Sequence, residues 1–432
     1  MLDPVAGRGD DAVVPRNLPT AIAVAIAVAA LTGTFLLRAG GEPRSRFPAL
    51  SSFDQVVTAS TERVAHVTCG GADGGPPCVS ATFRLLEGDD RGQRVTVELP
   101  AGDARARALG VGDRAVLGHQ PGVGGFEYVY LDPDRRSPLL ILTGVFVGAV
   151  ILLGRFRGIA SLIGLIATFA VLFLFLIPAI LDGRDPLLVS LVASVLIAYA
   201  ALYLSHGFAT RTTVALLGTL GGLACAAILA VVFMKLARIT GLASEEALYL
   251  TALGTGLDLR GLILGGMMIG ALGAIDDVTV TQASAVWELR AADPTMPRSR
   301  LLRAGMRIGQ DHVASTVNTL VLAYAGASMP VLILFLLSDQ PASMVANGEI
   351  VATEIVRTLV GSIGLVAAVP ITTWLAVRSV DGRPGRHARA PAELPLEDAF
   401  AVLDGPEEHP IYDRRRDVWA AWLQERRAAR HR

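Results

Sequence analysis

Lysine is nearly absent from this chain: Lys235 is the only one in 432 residues. A G-x-x-x-x-G-K-[ST] phosphate loop is therefore missing, so ATP-driven work would need a separate partner. H-E-x-x-H, G-x-S-x-G and a Y-D/G-x-G-D pair are missing too, and the chain is not expected to be an enzyme. Charged residues are scarce, at 18% against roughly 25% in soluble domains. A net charge of −1 leaves no basic surplus for nucleic acid. With three cysteines and only His66 near the pair Cys69 and Cys78, a four-ligand zinc site is incomplete, and no cofactor is expected.

Long apolar runs fill the space that charge leaves. The chain is 52% hydrophobic with mean hydropathy +0.51. A membrane helix needs roughly 20 apolar residues. Eight runs qualify: 18–37, 138–153, 159–181, 187–204, 213–236, 262–275, 312–337 and 355–377. The second and sixth are short, and the sixth is expected to run on into the polar stretch behind it. The fold class is thus an all-α polytopic membrane bundle, with residues 138–377 as its main domain. The first run is longer than a signal-peptide core and is read as an uncleaved anchor.

Arginine placement orients the bundle, because cytoplasmic loops collect basic residues. Arg155 and Arg157, Arg211, and the group Arg290, Arg298, Arg300, Arg303 and Arg307 fall on one side, with residues 1–17 and the arginine-rich tail 378–432. Lys235 and Arg238 are the exception. Both termini are expected on the inner side of the membrane. Within the tail, Val418, Trp419, Trp422 and Leu423 among arginines suit a surface-lying amphipathic helix or a solvated tail.

Residues 38–137 change character. Alternation in Arg94-Val-Thr-Val-Glu-Leu99 and Phe126-Glu-Tyr-Val-Tyr130, with further strands near 56–67, 79–86 and 114–118, predicts about five short strands. Gly88, Gly92 and Gly112 punctuate them. A small extracytoplasmic OB-like barrel between the first two spans follows. Outside the cell, Cys69 and Cys78 can close a disulfide.

The chemistry concentrates after residue 265. Asp276 and Asp277 follow a glycine-rich span, and carboxylates near hydrocarbon usually face a bundle interior or water. On a helix, Asp277, Thr281, Ser284 and Glu288 share one face. Gly266, Gly270 and Gly273 suggest a helix interrupted near 270–274, in the manner of transporter ion sites. Arg307, Asp311, Ser315 and Asn318 form a second polar face, and Glu354 can pair with Arg357. Asp311 with Arg307 also reads as a plain helix-end ion pair, and His312 as a structural residue. Adjacent acids at low dielectric suit proton exchange.

Gly270-Ala-Leu-Gly-Ala-Ile-Asp-Asp-Val278, Ala285-Val-Trp-Glu-Leu289, Gly305-Met-Arg-Ile-Gly-Gln-Asp-His312, the run 315–323, Thr353-Glu354 and Gly361–Val366 with Pro370 together resemble the YibE/F family of bacterial membrane proteins. The resemblance spans about 137–377 and implies recurrent polar positions at Asp277, Glu288, Asp311, Asn318, Thr319 and Glu354. Asp276 departs from the apolar residue frequent there. It implies a plasma-membrane protein and names no substrate. Asp276, Asp277, Thr281, Ser284, Glu288, Asp311, Asn318 and Glu354 are the candidate binding residues of a secondary permease. The alternative is a sensor or scaffold whose exported domain binds a ligand. The lipid bilayer, a small solute or ion, and a second copy of the chain are the partners to consider.

Overall fold

The computed structural model describes residues 18–40, 53–69, 75–103, 109–120, 128–252, 256–337 and 341–380. The N-terminal tail and the amphipathic segment at 411–432 lie outside the described residues.

Helix α1 (Leu18–Leu37) is alanine-rich, so its backbone comes close to its neighbour. Its Ala23 carbonyl accepts a hydrogen bond from the Tyr199 hydroxyl. Five antiparallel strands follow: β1 (Gln55–Thr68), β2 (Pro77–Leu85), β3 (Arg94–Pro100), β4 (Arg114–His119) and β5 (Tyr128–Pro133), in the order β3-β2-β1-β4-β5. Alternate residues bury one face, with Val57, Ala59, Ala81, Phe83, Val97, Leu117 and Tyr130 at the core. A register shift between Thr61 and Arg63 bends β1, and the edge strands β3 and β5 approach one another, so the sheet curls. The turn glycines hold φ of +89° at Gly88 and +93° at Gly92 and Gly112, a region most side chains avoid. A disulfide joins Cys69 to Cys78 across the ends of β1 and β2, with Cα atoms 5.2 Å apart. Phe126 lies outside the described residues.

Helix α2 (Arg136–Val171) continues through a π-helical turn, Leu172–Leu176, into α3 (Ile177–Leu181). Arg155 interrupts α2 at φ 51°, ψ −129°. Gly158 there packs against the backbone of Val150 and Ile151, where a Cβ would collide. Residues eight apart in a straight helix are about 12 Å apart, so the chain folds back at Arg155.

The bundle continues with α4 (Pro186–His206), α5 (Thr210–Leu236), α6 (Glu245–Ala252), α7 (Leu259–Ala292), α8 (Arg298–Ala327), α9 (Met329–Leu336), α10 (Ala342–Asn347) and α11 (Glu349–Ser379). Asp185 and Asp258 cap α4 and α7, accepting from the Leu188 and Gly261 amides at 2.9 and 3.1 Å. Helices α5, α7 and α11 pack most closely. A Cβ on Gly222 would stand 2.8 Å from the Gly364 carbonyl and 2.7 Å from Ala368. Small residues thus take the place of bulky core side chains, as in membrane bundles.

One expectation is corrected. Helix α7 is continuous over 34 residues, with no break at 270–274. A helical glycine costs only about 1 kcal/mol relative to alanine, and α5 and α11 hold this stretch through Ala271, Leu272 and Ile275. By length and composition alone the spans number fewer than the eight apolar runs. Six helices are long and apolar enough to cross a membrane, or seven if α8 and α9, bent by 64°, form one span. In that count residues 136–181 are a single run of 46 residues, interrupted at Arg155.

Candidate functional site

Four helical segments line an open-sided cavity of about 560 Å³ beside the middle of α7. The second half of α2 supplies Arg157, Ser161 and Thr168. The end of α4 supplies Ser205 and His206, and the first turn of α5 supplies Arg211. Helix α7 contributes Gly273, Asp276, Asp277 and Thr281. Gly164 lets α2 approach α4 here: a Cβ on it would stand 3.3 Å from Ser205 Oγ and 3.6 Å from Ala201 Cα. Gly273 has the opposite role, since a Cβ there meets nothing within 4 Å and the cavity extends over it.

The two adjacent acids differ. Asp276 is half-buried and its Oδ1 lies 3.5 Å from the Thr219 hydroxyl of α5. Thr219 is fully buried and 2.6 Å from the Thr279 hydroxyl. Asp277 is exposed toward the cavity space. The Thr281 hydroxyl is turned to its own helix, donating within 2.9 Å of the Asp277 and Val278 carbonyls, and it lies 3.5 Å from His312 Nε2. The cavity therefore carries two carboxylates and two guanidiniums, with a histidine beside them. Among the described residues, no cluster of three or more His, Cys, Asp or Glu could hold a metal ion.

The remaining predicted residues do not join them. Ser284 is half-buried and Glu288 exposed further along α7, and neither lines this cavity. Asp311 and Asn318 are exposed on α8. Glu354 pairs with Arg357 at 3.3 Å and lines a separate, apolar cavity of about 280 Å³ with Tyr324 and Ser328. The expected partnership of the α7 acids with Asp311, Asn318 and Glu354 is thus corrected: Asp276 and Asp277 turn toward α2, α4 and α5, and Asp276 meets Thr219 instead. Between α7 and the later helices stands buried Gln282, whose Nε2 donates to the Gly305 carbonyl at 2.8 Å and to Thr373 Oγ1 at 2.7 Å.

Sequence reasoning missed Arg157, Arg211 and His206 as cavity residues. Arg157 and Arg211 were weighed only as topology markers, although each stands within a turn of a span end. Arg290 is likewise more than a marker. It is 8% exposed and its Nη1 donates to the Pro294 and Met296 carbonyls at 3.2 and 2.7 Å, closing the α7–α8 turn.

Apolar helices of spanning length, packed through glycines around a polar cavity, define a multi-span membrane protein. Within it, residues 142–382, more than half the chain, match the family described as YibE/F-like protein. The chain belongs to that family. No curated protein and no solved structure matches it.

Proposed function

We propose that this protein is a secondary permease of a bacterial plasma membrane, with the cavity at Asp276 and Asp277 as its solute site. The observation that carries the reading is the joining of both acids with Arg157 and Arg211 around one cavity set among spanning helices. Ionisable groups within a bundle characteristically face such water-accessible paths. The guanidiniums suit the anionic group of a small solute. The carboxylates suit a proton carried with it, one that Asp276 and Asp277 share.

The fold-back at Arg155 supports eight crossings, made by 18–37, 136–154, 156–181, α4, α5, α7, α8 with α9, and α11. Eight crossings put both termini on the arginine-rich, cytoplasmic side. The curled sheet then lies outside, where its disulfide is stable, and its strand order suits an OB-like barrel closed between β3 and β5.

The test reconstitutes the full chain in proteoliposomes holding a pH-sensitive dye and presents a panel of small inorganic and organic anions. At least one anion is expected to move protons. Gly273→Leu, which fills the cavity without removing a charge, and the double variant Asp276→Asn with Asp277→Asn are both expected to abolish that movement. Full transport by the double variant, or no anion-coupled proton movement by the parent chain, overturns the proposal.

A further inference from the structure

Helix α8 leaves one face without a neighbour. It packs against α7 and α11. Its buried residues are Leu301, Gly305 and Gly309, and none follows them in the rest of α8 or in α9. The uncovered face is polar. Arg307, Asp311 and Asn318 are exposed along it with Ala314 between them, at spacings of four, three and four. Gln310 and Ser315 flank this stripe and are exposed as well. Among the described residues, neither Arg307 nor Asp311 has an ion-pair partner. Asn318 lies about 14 Å further along the helix than Gly309, which packs on Gln282 inside the bundle. On the eight-crossing reading α8 spans the membrane, and a carboxylate and an amide turned to lipid along it are costly, so this face requires a polar cover.

We propose that the cover is a second copy of this chain, docked through parallel α8 helices about a two-fold axis normal to the membrane. Two features select a second copy over an unrelated partner. The four-three-four spacing is that of the seam between two parallel helices in a left-handed crossing. The stripe also carries both signs of charge one turn apart, so in a two-fold pair each Arg307 reaches an Asp311 of either subunit, which offsets the like charges that meet at the same level. Arg307 stands one turn from Asp311 of the partner subunit, and the reverse pair forms at the same time. Asn318 meets its own equivalent, where each amide both donates and accepts. Ala314 between them keeps the backbones close.

The test uses the full chain with Cys225→Ala, leaving the disulfide cysteines in place. Ala314→Cys and Asn318→Cys are each oxidised in native membranes and, after purification, in lipid nanodiscs. Both are expected to give a covalent dimer. Leu153→Cys, on an exposed apolar surface elsewhere, is expected to give none. Light scattering of the unoxidised parent should report two chains per particle. Asp311→Arg should lower the cross-linked fraction at Asn318→Cys by about tenfold, equivalent to losing one strong ion pair. Adding Arg307→Asp to Asp311→Arg should restore it. A monomeric parent, cross-linking at Leu153→Cys instead, or cross-linking in native membranes to a different protein alone overturns the proposal.

Discussion

Glu349 holds Thr240 across the bundle. Its Oε1 accepts from the Thr240 backbone amide at 2.8 Å and from the Gly241 amide at 2.7 Å, and the Thr240 hydroxyl lies 2.9 Å from both carboxylate oxygens. The first residue of α11 thereby ties down the turn after α5, which Arg238 enters at φ 52°. Hydrogen bonds to a charged group contribute about 2 kcal/mol. Glu349→Ala is expected to destabilise the detergent-solubilised protein by about that amount in thermal unfolding, and Glu349→Gln by less because it keeps one acceptor. Equal stability of both variants and the parent would show that the contact contributes nothing.

Gln282 joins three helices at once, through the Gly305 carbonyl of α8 and Thr373 of α11. Gln282→Leu removes both donors while keeping an apolar body of similar size. The expected loss is about 1–2 kcal/mol, at the upper end for interhelical hydrogen bonds in membranes. Because α8 is held by few other elements, its N-terminal turn should become the first protease cut site in this variant. Unchanged proteolysis would count against Gln282 as the tie.

Glycines of α5 and α7 are expected to respond in opposite ways. Gly222→Val places a side chain against the Gly364 carbonyl and Ala368, and helices α5 and α11 cannot then keep their contact. This variant should fail to accumulate as a folded species. Gly266→Ala meets nothing within 4 Å and adds helix propensity, so it should be neutral or stabilising by up to about 1 kcal/mol. Fluorescence-detected size exclusion separates the two outcomes. Normal accumulation of Gly222→Val would refute the packing argument.

The Cys69–Cys78 disulfide closes a short loop between β1 and β2. Loop-entropy reasoning assigns about 3 kcal/mol to such a closure. Intact cells treated with a membrane-impermeant maleimide should show no labelling at Cys69 or Cys78 until a reductant is added. Cys78→Ser should free Cys69 for labelling and lower the stability of the sheet. Labelling without reductant would contradict the bond.

Much of the architecture was legible from local pattern alone. The strands around 56–67, 79–86, 94–99 and 114–118 each fall within an observed strand or extend it by a single residue, because period-two alternation and turn glycines act within a few residues. The polar face of Asp277, Thr281, Ser284 and Glu288 also survives, since a continuous α7 keeps its 3.6-residue period. The supposed break at 270–274 was misread because glycine marks both helix breaks and close packing. Only the neighbours distinguish these: α5 and α11 press on Ala271 and Ile275, while Gly273 looks into open space.

By itself, the sequence determined the class of protein, the places of its apolar helices and of most strands, and the family to which it belongs. Each depends on the length or period of a continuous stretch of chain. Tertiary structure alone decided which polar groups meet. Asp276 and Asp277 share a cavity with Arg157 and Arg211, while Asp311 is left on an uncovered face. Helical periodicity assigns a side chain to a face, but only the crossing of helices distant in sequence gives that face a neighbour.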